Sequence, residues 1–143
     1  MSPHLDPPLA GSVAALEGLD IPRGAYGGPR VARLSRALRV PVDALSLGEL
    51  RFLLSEGRGV GHVLPIALAR LELNPWLMSE VGPGDLLLAV CVAADGLWVT
   101  MPAWQAQLLD LLRAARGRLD TLDAALRDQL ESELAVAEGR FGA

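Results

Sequence analysis

The sequence of 143 residues contains no lysine, one cysteine, two histidines and six aromatic residues. All thirteen basic residues are arginine, which we attribute to coding bias because no single site explains it. The single cysteine excludes an intrachain disulfide and fits a reducing compartment. Because Cys91 lies inside the apolar run Leu86–Ala94, we predict a buried and inert thiol. This longest apolar run has nine residues, too few to cross a bilayer.

β-Branched residues are also scarce in the chain. Valine, isoleucine and threonine together supply fifteen residues, whereas leucine supplies 29 and alanine 21. β-Branched side chains lose rotamer freedom in a helix, which leucine and alanine largely keep. The composition therefore predicts an all-α fold and argues against a β-sandwich or a β-barrel. The length fits one domain, which at this size buries roughly 70% of the surface of its unfolded chain.

The chain is acidic, with a formal net charge of −4 and a pI near 5.1. This charge argues against binding to nucleic acid or to an anionic membrane. Residues 41–110 hold eight acidic residues against three arginines, a net charge of −5, and an acidic face can orient a basic protein partner. The arginines from Arg30 to Arg39 have no interleaved aromatic residue for stacking bases. We expect these arginines to be solvated or to pair with acids of the same molecule.

Helix-start and helix-stop residues divide the chain into helical segments. Ser46 and Glu49 match a capping box, which is typical of the start of a helix. The turn before Leu86–Ala94 ends in Asp85, which we expect to be the N-cap of a central buried helix because the run is apolar on nearly all sides. The other expected helices begin after Ser12 and run from Pro29 to about Val40, from Leu47 to Glu56, from about Val60 to Leu73 and onward from Pro102.

The C-terminal third repeats apolar residues at alternating intervals of three and four. This spacing predicts a long C-terminal helical segment, as in a bundle helix or a coiled-coil seam, with a bend or break at Gly117. The positions are Leu108, Leu112, Ala115, Leu119, Leu122, Leu126, Leu130, Leu134 and Ala137. Taken together, the patterns predict a compact multi-helix bundle. Residues 1–10 contain three prolines and lack the pattern of a signal peptide, so we expect a disordered leader and a cytoplasmic protein.

None of the candidate enzyme motifs has the context that its chemistry requires. The glycines of Gly57–Gly61 follow no predicted strand and lack the lysine and hydroxyl residue of a phosphate-binding loop. His4 and His62 have no partner at metal-ligand spacing. Ser55 lies outside a Gly-x-Ser-x-Gly frame and has no evident base. We therefore expect no enzyme activity, no catalytic residues, no metal and no cofactor.

Three segments and one tryptophan carry a family resemblance. They are Leu47–Gly57, with a Glu-Leu-Arg helix; Val63–Pro75, which ends in Asn-Pro; Pro83–Val90, with Pro-Gly-Asp-Leu-Leu; and Trp98. In order and approximate spacing, over about residues 40–105, they resemble the immunity proteins of contact-dependent growth inhibition, specifically the helical CdiI-type family. The resemblance implies a single helical immunity-type domain over residues 11–143, with a family-like core at about 30–112.

The resemblance also implies a function. Such proteins bind and neutralise the toxin domain of a polymorphic toxin, often a nuclease, by covering its active site or its substrate face. This chain would then be a monomer whose partner is a cognate toxin domain, with no nucleic acid and no membrane as partner. We predict that acidic residues face a basic cleft of the toxin and that a tryptophan acts as an aromatic anchor. The predicted toxin-binding residues are Glu56, Glu72, Trp76, Glu80, Asp85 and Trp98.

A second interpretation comes from a different class of protein. The sustained spacing from Leu112 to Ala137 is also typical of a helical adaptor or scaffold that associates through its C-terminal helix. Gly117 argues against this reading because a glycine interrupts a continuous seam. A stable dimer that disappears on deletion of residues 118–143 is the result that this alternative predicts.

Overall fold

The computed structural model describes residues 11–19, 27–93 and 101–142. These ranges contain seven α-helices, two short 3-10 turns and no strand, so the predicted all-α fold is confirmed. The helices are α1 (Val13–Glu17), α2 (Pro29–Arg39), α3 (Leu47–Glu56), α4 (Val60–Leu73), α5 (Asp85–Ala93), α6 (Pro102–Arg116) and α7 (Ala124–Gly142). The predicted disordered leader, residues 1–10, lies outside the described residues.

The short helix α1 is fixed at both ends and docks on the start of α4. The hydroxyl of Ser12 accepts a hydrogen bond from the amide of Ala15 at 3.1 Å, and Gly18 ends the helix with a left-handed φ of 64°. Gly59 also has a positive φ, 63°, and a Cβ there would lie 2.7 Å from methyl carbons of Val13. A glycine at this position therefore allows the fully buried Val13 to pack directly against the turn that begins α4.

The predicted capping box at the start of α3 is present. The hydroxyl of Ser46 accepts from the amide of Glu49 at 3.1 Å, and the Glu49 carboxylate accepts from the amide of Ser46 at 3.3 Å. Arg70 of α4 donates to the carbonyl of Leu45 at 2.7 Å and to that of Asp43 at 3.1 Å. These bonds tie the segment before α3 to α4, so α3 and α4 pack as a pair.

The helix α5 crosses both α3 and α4 and supplies the centre of the core. Leu86, Leu87 and Val90 are fully buried, as the prediction of a central apolar helix requires. The prediction that this helix is buried on nearly all sides is wrong at one face, because Val92 is 71% exposed. An all-apolar helix carries no pattern from which the uncovered side can be read.

The prediction that Asp85 is the N-cap of α5 is also wrong. The carbonyl of Gly84 accepts the first helical hydrogen bond, from the amide of Leu88 at 3.1 Å, so Gly84 takes the capping position. Its φ of 84° turns the chain into the helix, which is a conformation that an aspartate rarely adopts. Asp85 is instead the first helical residue, and its carboxylate turns back toward the preceding loop.

The C-terminal segment consists of α6 and α7, which pack against each other, and the predicted break at Gly117 is confirmed because α6 ends there. Arg116 donates to the carboxylate of Glu138 at 2.6 Å, and Arg113 lies 3.5 Å from it, so the C-terminal end of α6 is joined to the C-terminal part of α7. The predicted apolar stripe faces inward. Its buried members are Leu108, Leu112, Ala115, Leu119, Leu130, Leu134 and Ala137, while Leu122 and Leu126 are partly buried against them.

The docking of α7 generates a stability prediction. Leu134 is fully buried, and its replacement by alanine leaves a cavity under α7. We expect Leu134→Ala to lower the free energy of unfolding by about 2–5 kcal/mol, measured by urea denaturation. Val136 on the same helix is 69% exposed, so Val136→Ala should change it by no more than about 0.5 kcal/mol. Equal effects of the two substitutions would contradict the docking of α7 through Leu134.

Candidate partner-binding site

Trp76, one of the predicted aromatic anchors, is part of the core. It is 9% exposed and packs in the hydrophobic core, so little of its surface is left for the predicted contact with a toxin. The carboxamide oxygen of Asn74 accepts from the amide of Trp76 at 3.0 Å and turns the chain inward. The indole then packs beside Gly84, next to Leu130 of α7. The indole buries a large apolar surface, which favours the inward fold of the loop after α4, while its buried Nε1–H makes no hydrogen bond in the described part of the chain.

Asp85 organises the rest of that loop. Its carboxylate accepts hydrogen bonds from the amide and the hydroxyl of Ser79 at 2.7 and 2.6 Å, and from the amides of Glu80 and Val81 at 3.0 and 2.9 Å. Burial alone would raise the pKa of Asp85, but the bonds from Ser79, Val81 and Glu80 outweigh it and hold that pKa well below its usual range. Asp85, one of the predicted toxin-binding residues, therefore has a structural role, because its carboxylate holds the loop before α5 in place. We call this arrangement the Asp85 hub.

Two further predicted contacts, Glu56 and Glu80, are paired within the molecule. Glu56 of α3 accepts two hydrogen bonds from Arg30 of α2, which lower the pKa of Glu56 and raise that of Arg30. Glu80 pairs with Arg33, whose guanidinium also stacks on the ring of Phe52, 4.4 Å from its centroid. The expectation that the α2 arginines pair with acids of the same molecule is confirmed for Arg30 and Arg33.

Glu72 is the predicted acidic contact that lies apart from the others. It is exposed near the end of α4, and its carboxylate accepts a hydrogen bond from the side chain of Gln107 of α6 at 2.7 Å. Its partner is neutral, so the charge of Glu72 is not compensated by that bond. Trp98, the second predicted aromatic anchor, lies outside the described residues. Its part in binding stays a prediction.

Two openings lie side by side along the outer edge of α3, and both are lined by Arg51, Ser55 and Glu56. We call the first, of about 420 Å³, the arginine pocket; its other lining residues are Pro29, Arg30, Arg33 and Phe52. We call the second, of about 620 Å³, the apolar groove; its other lining residues are Leu54, Gly57, Val81, Asp85, Leu88, Ala89 and Val92. The structure thus brings Glu56 and Asp85 to one surface, with Glu80 beside Val81 in the adjoining loop.

The site offers little for metal or covalent chemistry. No group of three or more His, Cys, Asp or Glu side chains in the described ranges is arranged to hold a metal ion. Burial raises the pKa of Cys91 to about 12, so its thiol stays protonated at neutral pH, as the prediction of an inert cysteine requires. No helix in the part of the chain that the structure describes has both the length and the apolar character to cross a membrane.

Sequence reasoning predicted Glu56 and Asp85 as site residues but missed Arg51, Val81 and Val92, which also line these openings. Arg51 was counted only as a charge among residues 41–110 and as the arginine of the Glu-Leu-Arg motif, although its side chain lines both openings. Val81 and Val92 are 74% and 71% exposed, and they come together only because the loop is folded around Asp85. The sequence contains one weak indication that Val81 is exposed. It is an apolar residue inside a turn-rich segment, and side chains in turns need not be buried.

The Asp85 hub generates a pH-dependent stability prediction. Asparagine keeps the shape of the side chain but loses the charge, so Asp85→Asn should lower the free energy of unfolding at pH 7 by about 1.5–3 kcal/mol. Because the pKa of Asp85 is lowered on folding, its contribution is present above about pH 4 and declines as the pH falls below that value. The difference between the two proteins in urea denaturation should therefore shrink in acid.

The matched control is Asp110→Asn, because Asp110 is exposed on α6. This substitution should change the free energy of unfolding by no more than about 0.5 kcal/mol at either pH. A difference between Asp85→Asn and the unaltered chain that stays constant from pH 7 to pH 3 would contradict the proposed role of the charged carboxylate.

Comparison with family models, with curated proteins and with solved structures finds no match for this chain. The resemblance to immunity proteins therefore rests on the motif segments alone. In the structure these segments are α3, α4 and the start of α5, which pack against one another and carry both the hub at Asp85 and the apolar groove.

Proposed function

We propose that this chain is a cytoplasmic immunity protein that binds a cognate contact-dependent toxin domain one to one and neutralises it. The toxin is a nuclease in this proposal, and the chain acts by covering its active site or its substrate face. The observation that carries the proposal is that the motif segments form one unit in space. α3, α4 and the start of α5 pack together, and the face beside them exposes apolar side chains and arginines.

The exposed apolar residues beside α5 support a protein partner. Val81 and Val92 both line the apolar groove, and their side chains are more than two thirds exposed. Exposed apolar side chains that cluster in a groove with polar neighbours are typical of protein–protein interaction sites. A small-molecule substrate would need convergent catalytic groups, and the groove offers Ser55 without a histidine among its lining residues.

The acidic residues predicted to contact the toxin divide into two kinds. Glu56, Glu80 and Asp85 form intramolecular bonds, so their substitution would disturb the fold as well as a partner. Glu72 is exposed, and among the described residues its one hydrogen-bond partner is the neutral Gln107, which makes it the acidic residue best suited to meet a basic toxin surface without loss of structure.

The alternative, an adaptor that associates through its C-terminal helix, has less support. An adaptor helix must leave its apolar seam uncovered, whereas Leu130, Leu134 and Ala137 of α7 are buried within the same chain. Light scattering separates the two readings: the immunity proposal expects a monomer of 15.1 kDa, and the adaptor expects twice that mass. A stable dimer of the purified chain would favour the adaptor.

A rescue assay tests the proposed function. Under this proposal the toxin is the C-terminal domain of a large secreted protein encoded beside this gene, and that domain is expressed in a test bacterium with and without this chain. We expect growth to be restored only when the chain is present, and a one-to-one complex to be recovered on purification. An unrelated helical protein of similar size, expressed at the same level, is the control. Persistent growth arrest together with no complex would contradict the proposal.

The contribution of Glu72 is tested by charge reversal. If Glu72 meets a basic surface of the toxin, Glu72→Lys should weaken binding by about tenfold, because an attraction becomes a repulsion. Helical content should be unchanged, as measured by circular dichroism. Asp43→Lys is the matched control, since Asp43 is also exposed and lines neither opening. Unaltered toxin affinity of Glu72→Lys would remove Glu72 from the interface.

A further inference from the structure

The arginine pocket has more hydrogen-bond donors than acceptors. Three guanidinium groups line it, and the one carboxylate among its lining residues, Glu56, already accepts two bonds from Arg30. Arg33 is engaged by Glu80 and the carbonyl of Gly48. A guanidinium carries five N–H groups, so both arginines retain donors that these bonds do not use.

Arg51 stands between the two openings and is the least engaged of the three arginines. Its Nε lies 3.9 Å from a carboxylate oxygen of Asp85, which is an ion pair but too long for a hydrogen bond. In the described part of the chain, its guanidinium forms no hydrogen bond. The side chain lines both openings and is 34% exposed, so it is partly shielded from solvent.

The neighbouring apolar groove offers apolar surface beside the N–H donors of Arg51. Its floor is the covered side of α3 and α5, including the buried Leu54, and its edges are the exposed Val81 and Val92. Asp85 also lines it, and both oxygens of its carboxylate are engaged by the four hydrogen bonds from the loop. A ligand in the groove therefore meets apolar carbon on one side and the donors of Arg51 on the other.

We propose that this surface, the arginine pocket with the apolar groove, is where the partner docks, and that it takes a segment presenting a carboxylate beside an apolar side chain. The carboxylate binds Arg51, and the apolar side chain enters the groove between Val81 and Val92. The inference rests on the proposed function, since the partner is the toxin domain. It adds where on this chain the toxin docks, and it predicts that the toxin segment bound at this surface is acidic rather than basic.

Arg51→Gln tests the sign of that charge. An acidic segment loses its counterpart and should bind about tenfold more weakly, whereas a basic partner would bind equally well or more tightly. The affinity of each purified variant for the toxin domain is measured by calorimetry at fixed salt. Arg118→Gln is the matched control, because Arg118 is an exposed arginine on the α6–α7 connection and lines neither opening. It should change affinity by no more than about twofold.

Val92→Asp tests the groove itself. It places a charge against the apolar side chain and the carboxylate of the segment, and should weaken binding by about tenfold or more. Val136→Asp is the matched control, since Val136 is 69% exposed against 71% for Val92 and lies on α7 away from the groove. Thermal denaturation of all four variants establishes that they are folded, and Val81→Asp replaces any groove variant that is not.

The outcomes separate this inference from the function on which it rests. If the unaltered chain forms no complex with the toxin domain, the proposed function fails and this inference fails with it. If the unaltered chain binds but Arg51→Gln and Val92→Asp bind equally well, only the docking surface is overturned. Tighter binding by Arg51→Gln would overturn the acidic character of the segment. Weaker binding by both, with the controls unchanged, supports the inference.

Discussion

The carboxylate of Asp85 fixes the connection between α4 and α5, and the surface on that side of the molecule depends on it. Four hydrogen bonds from Ser79, Glu80 and Val81 converge on this one side chain. They set the direction of the loop, which in turn places Glu80 beside Arg33 and Val81 at the edge of the apolar groove. Hydrogen bonds to a charged group are stronger than neutral ones, so one residue can order a loop that has no helix or strand of its own.

The distribution of charge follows from the same arrangement. The chain is acidic overall, with a net charge of −4, yet Glu56 and Glu80 are compensated by Arg30 and Arg33. Arg51 is likewise ion-paired with Asp85, so the charges of the arginines along this edge are balanced, and what these arginines still offer is N–H groups that their present hydrogen bonds do not use. The net charge of a chain therefore does not give the sign of a local surface.

Local signals in the sequence were sufficient for most of the fold. The capping pair at Ser46 and Glu49 and the break at Gly117 depend on residues within a few positions of one another, and the structure has both. The apolar stripe of α7 that faces the core was predicted from the three-and-four spacing of its apolar residues alone. Such features are predictable because their physical cause is contained in a short segment.

The candidate site was harder to predict than the fold, because the contacts that place its residues join segments that are distant in the sequence. Asp85 has the residue type of an N-cap, but the positive φ of Gly84 gives the capping position to the glycine and leaves the carboxylate for the loop. Trp76 follows a helix end, where exposure is common, yet packing near Leu130 buries it. No local sequence pattern predicts the role of Asp85 or the burial of Trp76, because both depend on how the loop and α7 pack in the folded chain.

Amide hydrogen exchange at the loop tests the role of Asp85 most directly. The amides of Ser79, Glu80 and Val81 lie in a loop without regular structure, and each donates to the carboxylate. If the carboxylate orders the loop, these three amides exchange more slowly than the neighbouring amides of Met78 and Gly82, measured residue by residue by NMR. Exchange of all five at the rate of an unstructured peptide would contradict the account, because the loop would then not be held by Asp85.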